Sequence, residues 1–313
     1  MLSNRVALIV VTALAPALWG TTYLTTTTLL PPDRPLLAAT LRALPAGLLL
    51  LAVCRRLPTG AWWWRSWLLG TLNIGAFFAL LFVAAYRLPG GVAAMMGGLQ
   101  PLLVAVLASR LLRERLTVRT IVTGTGGVFG VCLIVLTAQA RLDAVGLAAA
   151  AAGTGSMALG MIYTKKWGQP APPLTTTAWQ LLFGGVTLLV ITLAVEGVPH
   201  TPLTLGNLTG YAYLSVVGTA FAYVVWFRGI AALPATTTAF LGLISPVVAV
   251  LLGWAANGES LGLIQLAGVL LVLASVAAAT LRRPPTPAAP GLPAPPPLRT
   301  QGIDTLSTNF DER

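Results

Sequence analysis

The sequence predicts an all-α polytopic membrane protein, with ten transmembrane helices arranged as a five-plus-five inverted-topology repeat. Three observations predict it. Of 313 residues, 56% are hydrophobic and 9% charged, and the mean hydropathy is +0.84, a composition outside the range of soluble domains. The apolar residues fall into ten runs, each near the roughly 20 residues that a helix needs to cross a bilayer. A punctuated string also occurs twice: Leu88-Pro89, Gly97, Pro101 and Glu114-x-Leu116 recur as Leu233-Pro234, Gly242, Pro246 and Glu259-x-Leu261, every one shifted by 145 residues. Leucines match cheaply between apolar segments, whereas prolines and a glutamate held in register do not. A unit that crosses the membrane five times and is then duplicated places its copies upside down relative to each other, an architecture of secondary transporters.

The runs lie at approximately 5–29, 35–53, 66–86, 89–109, 117–138, 144–164, 174–195, 207–228, 234–256 and 261–281. Turn and charge clusters separate them: Pro31-Pro32-Asp33-Arg34-Pro35 after the first, Arg55-Arg56-Leu57-Pro58-Thr59-Gly60 after the second and Arg113-Glu114-Arg115 after the fourth. Gln169-Pro170-Ala171-Pro172-Pro173 and Gly197-Val198-Pro199-His200 follow the sixth and seventh. The loops are too short to hold a soluble domain. Ala13-Leu14-Ala15 resembles a signal-peptide cleavage site, but the polytopic chain behind it makes the first run a retained helix. The expected organisation is a first five-helix repeat over 1–140, a second over 141–283, and a disordered, proline-rich cytoplasmic tail over 284–313.

The net charge of +11 is distributed as short basic clusters between apolar segments, without the basic and aromatic module of a nucleic-acid binder. It reads as topology charge. With the N-terminus in the cytoplasm, the inner loops and helix ends carry Arg5, Arg55, Arg56, Arg65, Arg110, Arg113, Arg115, Arg119, Lys165, Lys166, Arg228, Arg282 and Arg283, against Arg34, Arg87 and Arg141 outside. Thirteen against three predicts a multi-pass protein of the cytoplasmic membrane with both termini inside. Trp62, Trp63, Trp64, Trp67 and Trp167 fit an inner interfacial belt. Cys54 and Cys132 make neither a disulfide framework nor a metal site, and neither metal nor cofactor is expected.

A weaker match starts each copy: Leu18-Trp19-Gly20-Thr21-Thr22-Tyr23 against Ala158-Leu159-Gly160-Met161-Ile162-Tyr163, at an offset of 140, and Leu41-Arg42 falls where Trp179-Gln180 falls. The Trp19-Gly20 pair, Leu41-Arg42, the Pro101 helix ending in Glu114-x-Leu116 and their second-half counterparts resemble the EamA-type branch of the drug/metabolite transporter superfamily, over residues from about 10 to 280. That resemblance implies ten helices around a central cavity and export of amino acids or other small metabolites. The first copy departs from the pattern where Thr120 stands opposite Gln265.

A transporter of this kind needs a polar or aromatic site near the midplane and helices that can be breached there. Arg42 is the charged residue well inside a span, seven residues beyond Pro35 and so about 10 Å deep. Burial there costs about 2.5–3.5 kcal/mol on insertion scales, so it should face the bundle interior or a wet cavity. Two kinds of role fit it: attracting a substrate carboxylate or phosphate, or a structural one, snorkelling outward or bonding backbone carbonyls to lock the second helix. Gln100-Pro101 and Ser245-Pro246 are mates near mid-span, where proline frees a carbonyl one turn earlier and a kink can line the cavity or be sealed by packing. Trp19, Tyr23, Asn73, Trp179, Gln180, Tyr223 and Trp226 complete the candidate substrate pathway, each also readable as helix-helix glue. Glu114 and Glu259 sit at equivalent helix ends on opposite sides, as coupling groups or as partners of nearby arginines or helix caps.

The function these features predict is a secondary exporter of small metabolites, with uptake by the same fold as the alternative direction. No phosphate-binding loop for ATP is present, and no acidic residue lies within a span to form a carboxylate proton relay. A membrane-embedded enzyme acting on lipid-linked substrates would need metal-binding carboxylates or histidine pairs, which the eight acidic residues and one histidine do not form. The partners expected are the lipid bilayer and a small-molecule substrate, with a homodimer as the candidate assembly and no nucleic acid.

Overall fold

The computed structural model describes residues 2–31, 34–87, 96–135, 143–198, 202–257 and 261–281. Leu88-Pro89, Glu259 and the tail from 284 onward lie outside them. Every regular element among the described residues is helical: α1 (Leu2–Gly20), α2 (Thr22–Leu29), α3 (Pro35–Cys54), α4 (Trp62–Gly70), α5 (Ala76–Arg87), α6 (Gln100–Leu111) and α7 (Val118–Val135), then α8 (Ala144–Trp167), α9 (Pro173–Val195), α10 (Leu205–Ser215), α11 (Ala222–Ala232), α12 (Ala235–Leu241), α13 (Ile244–Asn257) and α14 (Leu263–Thr280). Seven helices are long and apolar enough to cross a membrane, joined by shorter apolar helices at Met96–Leu111 and Val118–Ile134. Large side chains such as Val118, Val190, Leu263 and Leu270 face outward, as a lipid-solvated surface requires. The helix of the third predicted span begins earlier than its hydropathy suggests. Trp62 to Trp67 are already helical, and the Arg65 guanidinium lies 5.4–5.6 Å from the rings of Trp62, Trp64 and Trp167.

Two departures from regular helix recur in both halves of the chain. Single π-helical turns join α4 to α5 at Thr71–Gly75 and α10 to α11 at Val216–Phe221, again 145 residues apart. Such turns widen a helix by one residue and strain its hydrogen-bond ladder. The fourth and ninth predicted spans are broken, not merely kinked. Leu99 interrupts the helix before α6, and Gly242-Leu243 separates α12 from α13. Pro101 and Pro246 lack an amide and exclude the carbonyl four residues earlier, so the chain tightens into three-residue steps: Leu99 N–H donates to Met96 O, Leu243 N–H to Phe240 O and Ser245 N–H to Gly242 O.

Equivalent helices pack against each other and run antiparallel. For α3 and α9, Glu196 just past α9 meets the start of α3, while Trp179 near the start of α9 donates to the Arg56 carbonyl just past α3. For α7 and α14, Arg119 reaches Ala278 O, and farther along a Cβ on Gly268 would stand 2.7 Å from Gly130 O. Small residues set this close approach of backbones. The remaining contacts repeat in the same sense: α8 packs on α5 and α6 as α1 packs on α11 and α13, and the first π turn lies on α9 as the second lies on α3.

Candidate functional site

The second π turn receives the charge from α3. Arg42, buried at 7% exposure, donates from Nε to Thr219 Oγ1 at 3.1 Å and from Nη2 to Gly218 O at 3.4 Å, and its guanidinium lies 4.7 Å from the Phe78 ring centre. Gly218 O also accepts from Trp19 Nε1 at 3.1 Å. Around this carbonyl the aromatic rings are continuous, with centroids 5.1 Å apart for Trp19 and Tyr223, 5.0 Å for Trp19 and Trp226, and 6.5 Å for Phe78 and Tyr223. Trp226 is buried, yet its Nε1 has no acceptor. The structure therefore brings together Trp19, Arg42, Tyr223 and Trp226 from the predicted pathway, and adds Phe78, Gly218 and Thr219. Phe78 was recoverable, because it stands 145 residues before Tyr223.

The first π turn is tied in the mirrored place. Asn73 Nδ2 donates to Gln180 Oε1 at 2.9 Å and to Thr164 Oγ1 at 3.2 Å, and its Oδ1 is buried without a partner. Gln180 on α9 thus does for the first turn what Arg42 on α3 does for the second, with a neutral amide in place of a cation. A side chain on Gly160 would collide with the Asn73 amide, which explains why glycine stands beside it. Both ties join one half of the chain to the other.

The other predicted residues lie elsewhere. Gln100 donates from Nε2 to Met161 Sδ at 3.2 Å, joining α6 to α8, while Pro101 is buried and Ser245 and Pro246 are half-buried. The Ser245 carbonyl and Val248 face Gly20, so the break before α13 packs on the end of α1. Trp179 is held at the loop end by Arg56 O at 2.7 Å, away from the aromatic cluster. Tyr23 belongs to α2, and its side chain is outside the described residues. A hollow of about 340 Å³ opens between α6 and α8, lined by apolar side chains and Thr154, and contains none of the predicted pathway residues.

Glu114 does not pair with its neighbouring arginines, and the helix it caps is not the next in sequence. Its carboxylate accepts from Ala235 N at 2.9 Å, Thr236 N at 3.4 Å and Thr236 Oγ1 at 2.9 Å, covering the start of α12. Lys165 Nζ holds the preceding turn by donating to Ile230 O at 3.2 Å and Leu233 O at 2.6 Å. Glu196 plays the corresponding part for α3, accepting from Leu36 N at 2.6 Å and Leu37 N at 2.9 Å. A carboxylate across the first turn satisfies amides that would otherwise lie unpaired at the membrane edge. The matched positions Thr120 and Gln265 are also helix starts: Thr120 N donates to Thr117 Oγ1, and Gln265 Oε1 accepts from Gly262 N. Among the described residues no cluster of His, Cys, Asp or Glu could hold a metal. What remains is an aromatic and singly cationic centre hydrogen-bonded to the second π turn, and a carboxylate over each of two helix starts.

The profile of the EamA-like transporter family matches twice, over residues 6–136 and 144–281. Protein PecM of Dickeya dadantii (strain 3937) is 46% identical over 264 residues, which cover 84% of this chain and 88% of that protein. A probable amino-acid metabolite efflux pump of Salmonella typhimurium (strain LT2) is 26% identical over 219 residues, 66% of this chain and 72% of that protein. A solved crystal structure superposes with a TM-score of 0.77 at 20% identity, over 88% of this chain and 97% of its own, a likeness of fold alone. The chain is a multi-pass membrane transporter, not an enzyme, and belongs to the EamA-like transporter family.

Proposed function

We propose that the protein is a secondary transporter of the cytoplasmic membrane, exporting small metabolites such as amino acids by alternating access through the middle of a ten-helix bundle. Its two five-helix copies, residues 1–140 and 141–283, have opposite topology in this reading. Support comes from the double family match, the packing that repeats between halves, and the antiparallel course of the equivalent helices α3 and α9, and α7 and α14. The observation that carries the mechanism is the pair of π turns, each tied to a polar residue of the opposite half. Rocking one half against the other breaks or slides these ties, and the groups they release at the turns offer hydrogen bonds that a substrate can take over. The direction of export follows the name of the efflux-pump relative, and substrate gradients set the net flux.

The test is efflux from cells loaded with individual amino acids, with and without the protein, and with Arg42→Ala and Gln100→Ala alongside. Faster loss of one solute class, reduced at least tenfold by Arg42→Ala, is the expected result. No change for any solute, in protein shown to reach the membrane, counts against export. A reporter fused after Arg283 is expected to be cytoplasmic; finding it outside removes a crossing and with it the inversion.

A further inference from the structure

Among the described residues no carboxylate pairs with Arg42. No acidic residue occurs within a span, and the guanidinium's protein acceptors are a hydroxyl and a carbonyl, neither of them charged. These use two of its five N–H groups. A buried cation left in this state is costly, and a positioned anion is what repays the cost. The molecule contains its own control: at the equivalent place Gln180 ties α9 to the other π turn without any charge. Fastening helix to π turn therefore does not require arginine, and the cation is an addition specific to the first half.

The surroundings define what it would meet. Gly218 O is already bonded to Trp19 Nε1, so a ligand carboxylate can take Nη2 from this carbonyl without leaving it unpaired. Trp226 Nε1, buried and without an acceptor, is a second donor beside the same ring cluster. Trp19, Phe78, Tyr223 and Trp226 offer flat apolar faces, and no carboxylate within a span is available to receive an ammonium group. One cation also suits one negative charge better than a phosphate dianion.

Resting on the transporter reading, we infer that the substrate class is a monocarboxylate with a flat aromatic body, its carboxylate held by Arg42 and its ring by the Trp19–Phe78–Tyr223–Trp226 cluster. Parting of Phe78 from Tyr223, the widest of these ring contacts, makes room for the substrate ring while Trp19 stays on Gly218 O.

The probes are indole-3-carboxylate, indole-3-carboxamide and L-tryptophan, which share a ring system and differ in charge. Binding to the purified full chain is measured by ligand-dependent thermal stabilisation. The carboxylate is expected to bind at least tenfold more tightly than the amide and more tightly than tryptophan. Arg42→Gln, which installs the residue its mate carries, should bring carboxylate and amide within twofold; Arg42→Lys should keep at least a threefold preference. Equal binding of carboxylate and amide by the natural protein, no binding of the carboxylate, or a preference that survives Arg42→Gln overturns the proposal. The first two outcomes decide it even if Arg42→Gln does not fold. Counterflow in proteoliposomes separates this from the transport reading. Tryptophan flux unaffected by Arg42→Gln keeps transport and removes the anion class, whereas carboxylate-selective binding without flux of any probe removes transport.

Discussion

Gly184→Leu is expected to leave no monodisperse protein in size-exclusion chromatography, and Gly184→Ala to lower the thermal midpoint by at least about 5 °C. The reason is backbone against backbone. A Cβ on Gly184 would stand 2.5 Å from Gly70 O and 2.8 Å from Ile74 Cβ, and one on Gly70 would stand 2.5 Å from Gln180 O. A flexible side chain can turn away from an intruding methyl, but a helix carbonyl cannot. Relief requires α4 and α9 to separate, which carries the first π turn away from α9 and stretches the bond between Asn73 and Gln180. Gly155→Ala is the matched control, because nothing lies within 4 Å of a Cβ there. Equal midpoints for Gly184→Ala and Gly155→Ala would show that this helix crossing is not the tight one.

Glu114→Ala is expected to open the end of the bundle where α6 meets α12. The substitution removes an acceptor from two amides and a hydroxyl at once, and hydrogen bonds to a charged group contribute about 1.5–3 kcal/mol each when well formed. Allowing about 2–3 kcal/mol in total at this half-exposed site, the closed arrangement loses roughly 30- to 150-fold in relative population. Leu233, buried just before α12, reports the change. With Cys54 and Cys132 replaced by serine, maleimide labelling of Leu233→Cys should run at least tenfold faster when Glu114 is alanine. Glu114→Gln keeps one carbonyl acceptor and should fall between. Unchanged labelling would mean that the carboxylate caps a helix without holding a gate.

The helices were legible because hydropathy runs and bilayer thickness share one length scale, and the seven helices long and apolar enough to cross a membrane lie on seven of the ten apolar runs. The misread elements have a common cause. At Leu99 and Gly242-Leu243 proline was visible, but whether it bends or breaks a helix depends on what replaces the missing bond, and Ser245 N–H settles that at Gly242 O. The π turns left no signal in composition. Their residues, Thr71–Gly75 and Val216–Phe221, include glycine and β-branched side chains of low helix propensity, but such residues recur throughout the apolar helices and so do not mark the turn, and the extra residue is accommodated by what packs on it. The candidate site was half legible. Arg42 stood out as an ion in an apolar run, and Gln180 as its mate, but Trp179 followed the same pattern and proves to be bound at a loop end by Arg56 O.

By itself the sequence determined a membrane protein, a duplicated string, and the positions of the charge and prolines that break its apolar pattern, because each of these is a property of residue type and spacing along one chain. Only the tertiary structure decided that Arg42 meets Gly218 and Thr219, that Gln180 answers it at Asn73, and that Glu114 and Glu196 cover helix starts far along the chain. Those partners lie between 107 and 177 residues apart. A buried polar group must find an acceptor or donor wherever the fold provides one, and in a bundle of apolar helices the few polar groups find one another across that distance because lipid offers them nothing else.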